Sequence, residues 1–428
     1  MASTQSLSTI RQGVAALTMA GAAALASAAP TSPVYWSPSW MASTQPIWSG
    51  DFVLPAGLPF QFNRQTVRQV ARLSLGGEQV RVVISNEGGT SPLHVGAATI
   101  ARHAEGSAVD ADTVRPLRFA GKTEVTLAPG ARLVSDPVPL ALPALSEVAV
   151  SLYLPRPSQP AGFHFDARQI AYVADGDLTA ARQLPAVATQ WSTRVYVSGV
   201  MVETAQAPRT VVAFGDSLTD GNGSTPGANT RWPDALAERL VSRNIAVLNA
   251  GNSGGRLLSD GMGRAGLERV GRDVFSQPGI RAMIVLLGTN DIGWPGGPFS
   301  PDEPAMRADT LIQGFRQLIA MAHAHNVRIV AGTIAPTEHG LQGTPLEGHY
   351  SPEKDVVRRE VNRWIRESGE FDAVVDFDAV LRDPDHPSQL KREMDSGDHL
   401  HPGDVGYKAM AVAIDLDALL GEPAAAMR

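Results

Sequence analysis

Thr210–Gly221 reads TVVAFGDSLTDG: five apolar residues that break at a glycine and open into a short turn of acidic and hydroxyl side chains. A continuous apolar run this short, without in-out alternation, is what a strand buried on both faces requires. Four more runs of the same kind follow: AVLNA (Ala246–Ala250), AMIVLL (Ala282–Leu287), RIVAG (Arg328–Gly332) and AVVDF (Ala373–Phe377). Helical stretches lie between and after them, at about Pro233–Arg243, Pro304–Ala324, Pro352–Glu367 and Gly403–Leu420. Short buried strands alternating with helices predict an α/β domain over 209–428, a doubly wound parallel sheet with helices on both faces. In such sheets the chemistry collects in loops beyond the carboxyl ends of the strands.

Upstream the rhythm differs. From about Val34 to Glu203 the pattern tends to period two and is cut by turns. TVRQVARLSLGGEQVRVVIS (Thr66–Ser85) gives two β-rich runs around Gly76-Gly77, which predicts a two-residue hairpin. Similar runs occur at Glu124–Leu127, Glu147–Leu154 and Arg194–Val202, separated by clusters such as Ala128-Pro129-Gly130 and Asp175-Gly176-Asp177. Residues 34–203 therefore read as an all-β sandwich or jelly-roll-like domain, joined to the second by Thr204–Pro208. Trp36, Trp40 and Trp48 near its start suit core or interface packing, with a sugar-stacking platform as the alternative.

Residues 1–29 read as a secretory signal peptide. A polar start carrying Arg11 precedes an uncharged apolar stretch, GVAALTMAGAAALASAA (Gly13–Ala29), with small residues at its end before Pro30. The stretch is shorter than the roughly 20 strongly apolar residues a membrane span needs, so no stable membrane insertion is expected after cleavage. The expected location is secreted, extracellular or periplasmic. The 428 residues contain no cysteine, which excludes a disulfide framework, a thiolate metal site and a cysteine nucleophile. The net charge of −7, with basic residues scattered singly or in short pairs, argues against a nucleic-acid partner.

Four blocks carry chemistry. The first strand runs into Gly215-Asp216-Ser217-Leu218; the second into Asn249-Ala250-Gly251-Asn252-Ser253-Gly254-Gly255; the third into Gly288-Thr289-Asn290-Asp291. Asp398-His399-Leu400-His401 comes just before the last helix. Three blocks follow successive strands and one leads into the final helix, so all four converge on one edge of the sheet. In this order they resemble those of the SGNH, or GDSL-type, hydrolases, esterases and lipases named for a Ser, Gly, Asn and His. The resemblance covers about Thr210–Leu420 and implies the flavodoxin-like version of the parallel sheet. The N-terminal half is more loosely similar to the β-rich extension of some secreted members.

Residue by residue, the resemblance implies Ser217 as nucleophile, His401 as general base and Asp398 as the carboxylate that orients it. A serine hydroxyl needs a base to take its proton before it attacks an ester. The Ser217 and Gly254 backbone N–H groups and the Asn290 side-chain amide would form the oxyanion hole. The function expected is a secreted carboxylic-ester hydrolase acting through an acyl-enzyme, on short-chain or acetyl esters, those of carbohydrates among them. An O-acyltransferase with the same triad is the alternative within enzymes; a carbohydrate-binding protein with a degenerate hydrolase domain is the alternative outside them. No cofactor and no metal is required, and the expected partner is a small-molecule or glycan ester.

Several neighbours compete for these roles. Gly251-Asn252-Ser253-Gly254-Gly255 also fits G-x-S-x-G, with Ser253 as nucleophile, but that elbow should open directly into a helix and the Gly-rich Arg256–Gly266 forms one poorly. His399 and Asp395 flank the D-x-x-H pair, whose spacing selects Asp398 and His401. His323 and His325 suit a helix end better than a metal pair. Arg231-Trp232-Pro233 starts a helix, with proline in its first turn. Trp294, His349 and Tyr350 lie in long loops and are candidates for the substrate pocket.

Overall fold

Val211 and Ala213 turn to one face of the strand Thr210–Gly215, and Val212 and Phe214 to the other; all four are inaccessible to solvent. This two-sided burial is what the five-residue apolar run required. In the structure, a computed structural model, residues 33–48, 52–160 and 162–422 are described, and the expected leader at 1–29 lies outside them. The strand is second in a parallel five-stranded sheet, in the order Ala246–Gly251, Thr210–Gly215, Ile280–Leu286, Arg328–Gly332, Ala373–Val375. The first two strands in sequence thus sit side by side and the third joins the other flank of the first. That reversal creates a crevice at the carboxyl ends of Thr210–Gly215 and Ile280–Leu286.

Leu311, Phe315, Leu318, Val361 and Ile365 cover one face of this sheet from the helices Ala308–Ala324 and Pro352–Glu367. Trp232, Leu236, Leu240, Tyr407 and Met410 cover the other from Trp232–Leu240 and Asp404–Ala413. Each such fully buried large side chain contributes roughly 1.5–3 kcal/mol of transfer free energy. The expected last helix is two, Asp404–Ala413 and Leu416–Leu420, because Asp415 caps a new start by accepting from the Asp417 and Ala418 amides. The fifth strand stops at Val375, since Asp376 caps the short helix Phe377–Leu381.

The first half is a domain of antiparallel strands in two main sheets. One contains Tyr35–Met41, Val197–Thr204, Gly77–Ser85 and Val138–Leu142, with Arg132–Val134 beside Gly77–Ser85. The other runs Thr189–Trp191, Ala171–Asp175, Gln65–Arg72, Glu147–Leu154, Ala97–Arg102, Arg115–Pro116. The hairpin expected at Gly76-Gly77 is not formed. Gln65–Arg72 and Gly77–Ser85 belong to different sheets, and the glycines carry the chain from one to the other. A side chain at 76 would lie 2.5 Å from the Ala144 amide nitrogen, and one at 77 would strike the Glu203 carbonyl. The pair is there for close backbone approach, which sequence alone does not distinguish from a tight turn.

From residue 34 onward the chain is one compact unit. Met262 and Trp294 of the α/β half are buried in the same apolar cluster as the sandwich interior, and Met41 of the sandwich lies in a cluster of the parallel sheet. The halves keep cores of their own, which meet at these residues. No helix among the described residues is long and apolar enough to cross a membrane.

Candidate active site

Gly215 ends the first parallel strand against its neighbour: a Cβ there would strike the Thr219 side chain and lie 2.7 Å from the Leu286 carbonyl. Asp216 caps the following single turn, Ser217–Asp220, by accepting from the Leu218 amide at 3.0 Å. Ser217 thereby stands at the first position of that turn, in the crevice the strand order creates. Asp216 is fully buried, and burial pushes its carboxyl up to about 7.

His401 Nε2 lies 2.8 Å from Ser217 Oγ, and His401 Nδ1 lies 2.6 Å from Asp398 Oδ2. The other oxygen of Asp398 accepts from the Leu400 amide at 3.0 Å and the His401 amide at 2.8 Å. Two residues of spacing thus let one carboxylate hold both the backbone and the ring of the histidine. Burial alone would raise Asp398, but the His401 hydrogen bond and charge and the two amides outweigh it and hold the carboxyl well below the usual carboxylate range. A carboxylate on Nδ1 places the ring proton there and leaves Nε2 free to accept the serine proton.

Gly254 sits in a turn with φ +69°, a left-handed conformation suited to glycine, and Met262 fills the space where a side chain would project. Neither the Ser217 nor the Gly254 amide donates to an acceptor among the described residues. Asn290, at the start of the short helix Thr289–Gly293 beyond the third strand, donates one Nδ2 hydrogen to the Gly255 carbonyl at 3.0 Å. That leaves its second hydrogen unassigned. His349 Nε2 lies 3.4 Å from Asn290 Oδ1, and the Gly255 carbonyl, which can only accept, fixes which end of the amide is the donor. Burial, with the charges of Lys354 and His401, pushes His349 down to about 3, so it is neutral.

These groups open into a cleft of about 370 Å³. Ser217, Gly254, Asn290, Asp398 and His401 all line it. Trp294 and His349 line it as expected; Tyr350 does not, and its phenol is raised by burial and the charges of Glu338 and Asp355. Part of the wall was not foreseen: Leu54, Phe165, Asp166 and Arg168 come from the β-rich half. None sits in a recognisable motif. The nearest signal was the aromatic pair Phe163 and Phe165 in GFHFD, which reads equally well as a strand core.

The competing residues are accounted for. Ser253 Oγ is bound to Asp220 Oδ2 at 2.7 Å and Asn222 Oδ1 at 3.0 Å, with no imidazole upon it. No helix follows it until Gly266. Asp395 pairs with the exposed His399 at 2.6 Å, apart from the Asp398–His401 pair. His323 contacts Asp372, His325 stacks on Phe275, and no metal-binding cluster occurs among the described residues. Trp232 is fully buried at its helix start. Trp40 and Trp48 are buried, and Trp36 lies under Arg81, so the three form no open platform.

The profile of the GDSL-like lipase/acylhydrolase family matches residues 213–409. No curated protein matches the chain. Among solved structures, the chain is similar to a carbohydrate acetylesterase from Sinorhizobium meliloti at 18% identity and TM-score 0.37, over 48% of this chain and 96% of that one. It is also similar to an aryl esterase from M. smegmatis at 16% identity and TM-score 0.38, over 48% and 95%. A third is a GDSL-like lipase from Bacteroides thetaiotaomicron VPI-5482, at 15% identity and TM-score 0.35 over 48% and 85%.

Proposed function

From a GDSL-like lipase/acylhydrolase domain at residues 213–409, the domain of a carboxylic ester hydrolase, we propose a secreted enzyme that cleaves short-chain or acetyl esters, including those of carbohydrates, through an acyl-enzyme on Ser217. The observation that carries this reading is the unbroken Ser217–His401–Asp398 chain of hydrogen bonds, with links of 2.8 and 2.6 Å, lining the cleft. His401 Nε2 takes the Ser217 proton as Oγ attacks the ester carbonyl. The same imidazolium then protonates the departing alcohol. Water then attacks the acyl carbonyl as His401 takes its proton, and the imidazolium returns that proton to Ser217 Oγ as the acyl C–O bond breaks, releasing the carboxylic acid and the free serine. Asp398 keeps the ring in the required tautomer and balances its transient charge.

The oxyanion of each tetrahedral intermediate would accept from Ser217 N–H, Gly254 N–H and the free Nδ2 hydrogen of Asn290. A donor of this kind typically contributes about 10²–10³ in rate. The lining includes polar Asp166, Arg168 and Asn222, and apolar Leu54, Phe165, Trp294 and Phe299. The polar residues suit a hydroxyl-bearing alcohol and the apolar ones an acyl chain. The leader at Gly13–Ala29 supports export.

Ser217→Ala tests the assignment. Turnover of an aryl acetate should fall to background while circular dichroism and the thermal midpoint stay those of the parent. Retained turnover by this variant overturns it.

A further inference from the structure

Ser253 O and Gly254 N–H are the two ends of one peptide group, pointing in opposite directions across a trans bond. Whatever holds the carbonyl therefore aims the amide. Here the carbonyl is held from the other half of the protein. Gln45, on the short strand Gln45–Pro46, is fully buried and donates from Nε2 to Ser253 O at 3.2 Å and to Met262 O at 3.1 Å. Its Oε1 accepts from the Phe165 amide at 2.8 Å, which fixes the orientation of the side-chain amide. All the hydrogen-bonding groups of this amide but one lone pair are thus in use.

We propose that Gln45 is a positioning residue of the oxyanion hole, a part of the catalytic site supplied by the β-rich half. Its bond to Ser253 O has two effects. It fixes the tilt of the Ser253–Gly254 peptide, and it draws electron density towards the carbonyl, which makes the Gly254 N–H a stronger donor. The second bond, to Met262 O, anchors the residue whose side chain occupies the space beside Gly254. The preceding peptide is braced from the same half through Asp220: Ser253 N and Oγ bind Asp220 Oδ2 at 3.2 and 2.7 Å, and Asp220 Oδ1 lies 2.9 Å from His164 Nε2 of the β-rich half. His164 Nδ1 faces the Ser43 carbonyl at 2.8 Å, so both ring nitrogens meet acceptors. Burial opposes the charge on His164, but the charge and hydrogen bond of Asp220 outweigh it, and the ring is held above its ordinary value. The turn has no regular secondary structure of its own, so these contacts set its geometry.

The inference rests on the oxyanion role given to Gly254 above, and its test separates the two. In the full chain, Gln45→Leu keeps the volume and removes the donor. It should lower kcat on an aryl acetate about tenfold, with KM changed by less than about threefold, because the lost interaction matters only once charge develops on the oxygen. Affinity for a boronic acid that forms a tetrahedral adduct on Ser217 should fall in parallel. The control is Gln69→Leu, which removes another buried amide of the same half: Gln69 bonds the Val195 backbone at 2.8 Å, inside the sandwich. It should cost stability without changing kcat. Gln45→Glu serves as the second variant, because its acid form can donate and its carboxylate cannot. The wild-type to variant ratio of kcat should narrow as pH falls, at each pH where both turn over. Equal kcat losses in Gln45→Leu and Gln69→Leu, an unchanged kcat in folded Gln45→Leu, or a pH-independent ratio for Gln45→Glu each overturn the proposal. Retained turnover by Ser217→Ala overturns the catalytic reading itself.

Discussion

Asp216→Asn should make the protein more stable, and increasingly so as pH rises. Asp216 is fully buried, with one carboxylate oxygen on the Leu218 amide at 3.0 Å and the other without a partner among the described residues. Burial raises its carboxyl from 3.8 to about 7, against the pull of the Leu218 amide and the His401 charge. A carboxyl whose folded value lies above its unfolded one binds its proton more tightly when folded. Stability is therefore lost as pH rises from about 4 to about 7 and does not return above that. At 1.36 kcal/mol per unit, the full loss is about 4 kcal/mol. Part of it is already lost at pH 5, so roughly 2–3 kcal/mol develops between pH 5 and 8. Asn at 216 can still cap through Oδ1 but does not ionise. Urea unfolding of both proteins at pH 5, 6, 7 and 8, with slopes checked for constancy, measures the difference. The variant's advantage should grow by roughly 2–3 kcal/mol across that range. A pH-independent difference, or one that shrinks towards pH 8, refutes the reasoning.

Asp398→Asn turns an amide nitrogen towards His401 Nδ1, forces the ring proton to Nε2 and should cost about 10³–10⁴ in kcat on an aryl acetate. Asp395→Asn, altering the carboxylate that holds the exposed His399, should change kcat less than about threefold in the same assay; similar losses would remove the distinction between the pairs. Gly254→Ala forces a side chain into a backbone at φ +69° and within 2.8 Å of Met262 Cβ. It should lower the thermal midpoint and reduce kcat by about 10² through the displaced amide, measured by calorimetry and initial rates.

The parallel sheet was legible because its strands are too short and too uniformly apolar to be half-exposed, and four of the five are followed by a helical stretch before the next strand or the chain's last residues. The candidate site was legible because its chemistry lies in loops after those strands. Two features were not. Gly76-Gly77 looks like a hairpin because sequence reports that a glycine is needed, not whether a turn or a passing backbone needs it; the Ala144 amide and the Glu203 carbonyl decide. Gln45 and His164 were invisible because their partners, Ser253 and Asp220, lie 208 and 56 residues away. A buried polar side chain on a short strand carries no periodic signal. Tyr350 shows the converse: an aromatic beside His349 in the same loop, yet turned away from the cleft.

Why the oxyanion turn should depend on another half of the chain follows from its own sequence. Asn252–Gly255 needs glycines to bring an amide into the cleft, and glycines leave a turn without side chains to hold it. The stretch that follows, to Ala265, has no helix or strand to brace it. Among its fixed points are Asp291, which accepts from the Leu257 and Leu258 amides at 2.8 and 3.0 Å, and Asn290, on the Gly255 carbonyl. Both act downstream of Gly254. Upstream and across, bracing comes from Asp220 with His164, from Gln45 and from Trp48 Nε1 on Met262 O at 2.7 Å. The same β-rich segment that carries His164 also brings Phe165, Asp166 and Arg168 to the cleft wall. The same half thus both lines the substrate cleft and holds the turn that aims the Gly254 donor. The cysteine-free chain has one further reason to join its halves through cores that meet. With no disulfide to tie them, packing around Met262 and Trp294 and the hydrogen bonds of Gln45, Trp48 and His164 keep that wall in register with Ser217.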